Sequence, residues 1–129
     1  MSADINSRYG LNPAHSEVIE AGEIIAPCNA LDMGCSNGRN ALYLSQLGFN
    51  VTAVDNNPDA INMLRQIISE EAINNIEARV YDINDAALSD DYGLIACTVT
   101  LMFLHPTRVD AVIEDMQSHT LPGGYNLIV

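Results

Sequence analysis

Lysine is absent from this chain of 129 residues. Its fixed cations are Arg8, Arg39, Arg65, Arg79 and Arg108, set against 17 acidic residues for a formal net charge of -12. A nucleic-acid binder tracks the phosphate backbone with a positive groove, and these scattered arginines line none. An anionic membrane surface is disfavoured for the same reason. Long apolar runs are missing too: stretches such as Leu94 to Thr100 are far too short to span a bilayer. The start, Met1 to Asn6, has neither a basic opening nor an apolar block, so no secretory signal is expected. Cysteine is scarce: Cys28, Cys35 and Cys97 are an odd number with no C-x-x-C pair. That argues against a disulfide framework or a zinc site, and for reduced thiols in a cytoplasmic protein. The rest is ordinary: 48% hydrophobic and 17% charged residues predict one globular domain over residues 1–129. The charge leaves a cationic or neutral small molecule as the permitted partner.

Element types alternate along the chain. Asn12-Pro13 reads as an N-cap with proline at the first helical position, and apolar residues at helical spacing predict a helix of about 13–25. Ala30 to Met33 is a short buried strand ending at Gly34. Asn40 to Leu47 is helical and stops at Gly48; Asn50 to Val54 is a second strand ending at Asp55. Asn57-Pro58 opens another helix. Ile76 to Tyr81 is a third strand ending at Asp82, and Gly93 to Val99 a fourth. The connection between them, about 83–92, predicts a loop or a single helical turn. His105-Pro106 opens a helix, Leu121 to Gly124 is a turn, and Tyr125 to Val129 is a fifth strand. Strand–helix alternation with near-continuous apolar strands predicts an α/β fold, a parallel sheet covered on both faces.

In such a sheet the ligand lies beyond the carboxyl ends of the strands. The first strand ends in Asp32-Met-Gly34-Cys35-Ser36-Asn-Gly38, where glycines permit a sharp turn and close backbone approach. Asp55, 21 residues after Gly34, suits a bidentate bond to ribose hydroxyls. Asp82 could accept from an exocyclic amine of adenine, with Ile83 completing the pocket. Three site types compete. The nicotinamide fingerprint G-x-G-x-x-G needs glycine where the chain has Ser36 and Arg39. Gly34-x-Ser36-x-Gly38 spells the G-x-S-x-G nucleophile elbow of hydrolases, but an elbow follows several earlier strands and this loop follows the first. The third is an S-adenosyl-L-methionine site.

The third reading rests on a resemblance. Asp32-x-Gly34-x-x-x-Gly38, Asp55, Asp82 and the Leu121-Pro-Gly-Gly124 turn are similar to the motifs of class I methyltransferases. The stretches LDMGCSNGRNALYLSQLGFNVTAVDNN, TVTLMFL and PGGYNLIV, with Tyr9 to Ser16, resemble the tellurite-resistance methyltransferases. The resemblance implies a Rossmann-like class I core in strand order 3-2-1-4-5, the family's last two strands and C-terminal acceptor residues lying outside this sequence. It implies S-adenosyl-L-methionine as cofactor, with Gly34, Cys35, Ser36 and Gly38 approaching its methionine part. Asp32, Arg39 and Asn40 flank that loop; Asp55 and Asn56 take the ribose; Asp82 and Ile83 take the adenine. Thr98 offers a carbonyl to the cofactor ammonium, and Tyr9 and His15 approach from the N-terminal side. Met102 and Phe103 wall the acceptor side. The implied reaction is methyl transfer to a small soft acceptor such as tellurite or selenite; the alternative is a module that binds the cofactor without turnover. The family usually has glycine at the position of Ser36, so a positive φ there would cost about 1–2 kcal/mol. The apolar fifth strand would form an unprotected sheet edge, and either a homodimer through it or a poorly soluble monomer is expected.

Overall fold

Each apolar run between turn residues forms a strand, and each amphipathic stretch a helix laid across the sheet. The computed structural model describes residues 5–129. In chain order the elements are α1 (Ile5–Arg8), α2 (Ser16–Ile24), β1 (Asn29–Met33), α3 (Arg39–Gln46), β2 (Asn50–Asp55), α4 (Pro58–Glu70), β3 (Ile76–Val80), β4 (Tyr92–Cys97), α5 (Val109–Ser118) and β5 (Thr120–Ile128). Single 3-10 turns occupy Ile83–Asp85, Leu101–Phe103 and Pro106–Arg108. The sheet order is β3-β2-β1-β4-β5, and every pairing is parallel. The chain leaves β1 toward β2 on one side and returns to β4 on the other, which opens a crevice at their carboxyl ends.

Both faces of the sheet are covered. Leu42, Leu44, Phe49, Ile61 and Leu64 fill one side beneath α3 and α4; Met33, Ile95, Val112 and Met116 fill the other against α5. No helix among the described residues is long and apolar enough to cross a membrane.

The structure corrects three details of the sequence reading. Asn12-Pro13 does not start a helix. Those residues lie outside any helix or strand, and α2 is capped by His15, whose Nδ1 accepts from the Glu17 N–H at 3.1 Å. His105-Pro106 opens a 3-10 turn, with His105 as its cap, and the α-helix begins only at Val109. Leu121 to Gly124 is not a turn before the last strand but part of β5. Thr120 pairs with Tyr92 and Tyr125 with Leu94, so Leu121 to Gly124 bulge out of the ladder opposite Gly93 alone. Gly124 makes the bulge possible: a Cβ there would sit 2.7 Å from the Gly93 carbonyl oxygen. The Asn57 cap behaves as read, its Oδ1 accepting from Asp59 N–H at 3.0 Å and Ala60 N–H at 3.4 Å.

Candidate ligand cleft at the carboxyl ends of the strands

The loop after β1 holds three successive departures from ordinary backbone. Gly34 has φ 76°, Ser36 φ 52° and Gly38 φ 102°. The glycines also leave no room for a side chain. A Cβ at Gly34 would lie 2.6 Å from Thr100 Cγ2, and one at Gly38 would lie 2.5 Å from Leu64 Cδ1. Ser36 adopts the left-handed conformation without glycine's freedom, at a cost of about 1–2 kcal/mol. Its backbone N–H compensates in part by donating to Asp55 Oδ2 at 2.8 Å. The other Asp55 oxygen accepts from Asn57 N–H at 2.9 Å. The carboxylate at the end of β2 is thus fixed by two amides, with one lone-pair direction on each oxygen left over. That arrangement suits a vicinal diol.

Two cavities meet at this loop, sharing Gly34, Ser36 and Val99. The first, about 310 Å³, reaches from Asp55 and Asn56 to Asp82, Ile83 and Asn84, with Thr100, Phe103 and Leu104 opposite. The second, about 370 Å³, passes Cys35, Arg39, Asn40 and Thr98 beneath Gly10, Leu11 and Asn12. Together they form a two-lobed cleft, one lobe able to take a nucleoside and the other a short zwitterionic chain. At its far end Asp82, a lining residue, accepts through Oδ1 from Asn84 N–H at 2.9 Å and Nδ2 at 3.0 Å. Gly38 caps α3 without a side chain, so the first N–H groups of that helix are not covered by a capping side chain.

Asn40 ties the second lobe together. Its Oδ1 accepts the His15 N–H at 2.8 Å and its Nδ2 donates to Thr98 Oγ1 at 3.1 Å. Arg39 donates to the Pro13 carbonyl at 3.2 Å, and Asn6 to the carbonyls of Asn12 and Arg39. The N-terminal arm is therefore stitched across the cleft by side chains of α3. The Thr98 carbonyl accepts from Thr100 Oγ1 at 2.8 Å and keeps a second lone pair.

The structure gathers Gly34, Cys35, Ser36, Gly38, Arg39, Asn40, Asp55, Asn56, Asp82, Ile83 and Thr98 around or directly beneath this cleft. It does not bring Tyr9 or His15 into its lining. The Tyr9 hydroxyl donates to Glu71 Oε2 at 2.8 Å, which pushes its pKa up to about 12, and Arg8 pairs with the same carboxylate. The His15 ring caps α2 instead. Asp32 lies behind the loop, fully buried. Burial, and then the nearby Asp55 charge, push its carboxyl up to about 7. The Cys35 thiol is also held up, chiefly by burial, which disfavours a thiolate. His105 binds Thr107, and His119 lies between Asp91 and Asp115, so neither is paired with Ser36 as a hydrolase would need. The sequence reading missed Asn84, Val99, Thr100, Leu104 and the roof formed by Gly10 to Asn12. Thr100 and Asn84 each stand two residues beyond a residue that was read, and that spacing was the available signal.

The comparisons with known proteins agree with this geometry. The family model of the tellurite resistance protein TehB matches residues 3–129. The chain is 45% identical over 124 residues to the probable S-adenosyl-L-methionine-dependent methyltransferase TehB of Haemophilus influenzae (strain 10810), covering 96% of this chain and 43% of that protein. It is 46% identical over 124 residues to a protein called hemagglutinin 1 of Eikenella corrodens, covering 96% of this chain and 41% of that one. The crystal structure of TehB from Haemophilus influenzae superposes with a TM-score of 0.93 at 43% identity, over 98% of this chain and 44% of that one. The chain therefore spans less than half the length of these three relatives.

Proposed function

We propose, from the premise that the chain belongs to the tellurite resistance protein TehB family, that it binds S-adenosyl-L-methionine and serves methyl transfer to a small soft nucleophile such as tellurite or selenite. The observation that carries the reading is the Asp55 carboxylate, held in the first lobe by the Ser36 and Asn57 amides. The cofactor would supply a methyl group on a sulfonium, open to in-line displacement. The chain's own part is alignment. Asp55 holds the ribose, Asp82 and Ile83 border the base, and Gly34 and Gly38 let backbone reach the amino-acid part. The acidic surround favours a cationic sulfonium. The same charge disfavours nucleic acid as substrate. The three free cysteines support a reducing, cytoplasmic setting.

Titration with S-adenosylhomocysteine, followed by thermal shift, is expected to stabilise the chain, and NADH is expected to do nothing. Asp55→Ala should weaken that binding by about 1–3 kcal/mol, the scale of hydrogen bonds to a charged group. Wild-type affinity in the variant would refute the ribose role. A methyl-transfer assay with selenite beside the titration separates an enzyme from a module that binds without turnover.

The reading extends to assembly. β5 ends the sheet, pairing with β4 on one side, and leaves Tyr125, Ile128 and Val129 substantially exposed. Its last stretch, Tyr125 to Val129, is an apolar edge without charge or proline and invites strand addition from a second copy. Leu127 packs on the core, so Ile128 is the position to test. Light scattering is expected to find the 129-residue chain above monomer mass, and Ile128→Lys should return it to monomer. A monodisperse wild-type monomer would end this proposal.

A further inference from the structure

Asp32 is an anomaly. It is fully buried, and neither carboxylate oxygen has a hydrogen-bond partner among the described residues. Buried polar side chains are nearly always paired, so each exception calls for a reason. An ionised carboxylate so placed is costly unless a positive charge comes near it. Its surroundings supply little. α3 presents the Arg39 guanidinium, which is turned to the Pro13 carbonyl, and the Ala41 N–H, and both favour the ionised form but are outweighed by burial. β2 presents Asp55, which repels a second negative charge. The loop presents Cys35 and β4 presents Cys97, both thiols held in the neutral form by burial. The same loop, from Gly34 to Ser36, lines the second lobe of the cleft on its other side. Asp32 is thus a buried carboxyl group without a counter-ion, two residues ahead of the Gly34 to Ser36 stretch that lines the lobe suited to a zwitterionic chain.

We propose that Asp32 is the proton-linked counter-charge of this cleft, protonated in the free protein and ionised when an ammonium group occupies the second lobe, so that ligand binding releases a proton to solvent. The inference rests on the S-adenosylmethionine reading and adds a step to it. The O–H bond of the Asp32 carboxyl breaks, the proton passes to water or buffer, and the electron pair stays on the carboxylate facing the new cation. Asp32 acts here through charge and is a positioning residue. Its carboxyl, pushed up to about 7, places the exchange near neutrality.

The test is calorimetric titration of the 129-residue chain with S-adenosylhomocysteine, which carries the ammonium, in buffers of different ionisation enthalpy. About half a proton should be released per site at pH 7, and affinity should fall about tenfold from pH 8 to pH 6. In Asp32→Asn the release should vanish and the affinity should become flat over that range. Carboxyl-carbon NMR of the wild-type chain gives an independent reading should the variant not fold: one aspartate should titrate near neutrality and lose that titration on ligand addition. Binding without proton release, proton uptake, or release that persists in Asp32→Asn would overturn the counter-charge alone. Failure of the wild-type chain to bind at pH 8 would overturn the cofactor reading itself.

Discussion

Asp32→Asn is expected to make the chain more stable at pH 8 and to leave its stability nearly unchanged at pH 4. The carboxyl is fully buried and pushed up to about 7, from an ordinary 3.8, first by burial and then by Asp55. Below about pH 4 the group is protonated in both folded and unfolded chains. Between about pH 4 and pH 7 the folded chain holds a proton that the unfolded chain has released, so stability falls as pH rises. Above pH 7 the loss is complete and amounts to about 4 kcal/mol, at 1.36 kcal/mol per pKa unit. The Asn side chain has nearly the same shape and carries no charge, so the variant does not suffer this loss. Urea unfolding at pH 4, 6 and 8 measures it: wild type should weaken over the series while the variant stays level. Parallel curves for the two proteins would show that Asp32 is not charged at pH 8 or that its charge is paired.

The same residue shows what the sequence makes legible and what it does not. The strand–helix alternation, the Asn57 cap and the loop from Gly34 to Gly38 depend on local patterning, and short windows reveal them, whereas the strand order follows from the family resemblance and not from any local pattern. Asp55 is legible because strand length and turn length place it at the end of β2 opposite the loop. Asp32 is legible as part of a motif, but not as a carboxyl without partners, because its burial depends on α3 closing over it. Tyr9 reads as a cleft residue until Glu71, 62 positions away, takes its hydroxyl. His15 displaces Asn12 as helix cap because Asn40 holds the His15 N–H in place from another element. The bulge in β5 follows from Gly124 lying against the Gly93 carbonyl, a contact between distant segments. Val99 is the clearest omission. It is a β-branched residue at φ 52°, and it borders both lobes. Nothing in its neighbours predicts a left-handed valine, since its N–H is held by a distant segment, the Val129 carbonyl just past β5, at 2.9 Å.

Gly38→Ala should be among the most damaging single changes in the chain, larger than its one added methyl group implies. Two costs add. The residue sits at φ 102°, where an L side chain is strained by about 1–2 kcal/mol. The new Cβ would also lie 2.5 Å from Leu64 Cδ1, and Leu64 is fully buried in the core of α4. Such a close approach forces a rotamer or backbone shift, typically about 1–3 kcal/mol. The expected loss is therefore about 2–5 kcal/mol in urea unfolding, a large share of the stability of a domain this size. Gly34→Ala meets Thr100 instead, at φ 76°. Thr100 is part of the cleft wall, so its displacement disturbs the ligand as well as the fold. The pair thus separates two effects of one loop. Gly38→Ala combined with Leu64→Ala removes the obstructing methyl and should recover part of the packing loss relative to the sum of the single changes. Gly34→Ala should lose S-adenosylhomocysteine binding by more than its stability loss explains. If Gly38→Ala unfolds at the wild-type urea midpoint, the loop does not press on Leu64, and the cradle described for this cleft is drawn too tightly.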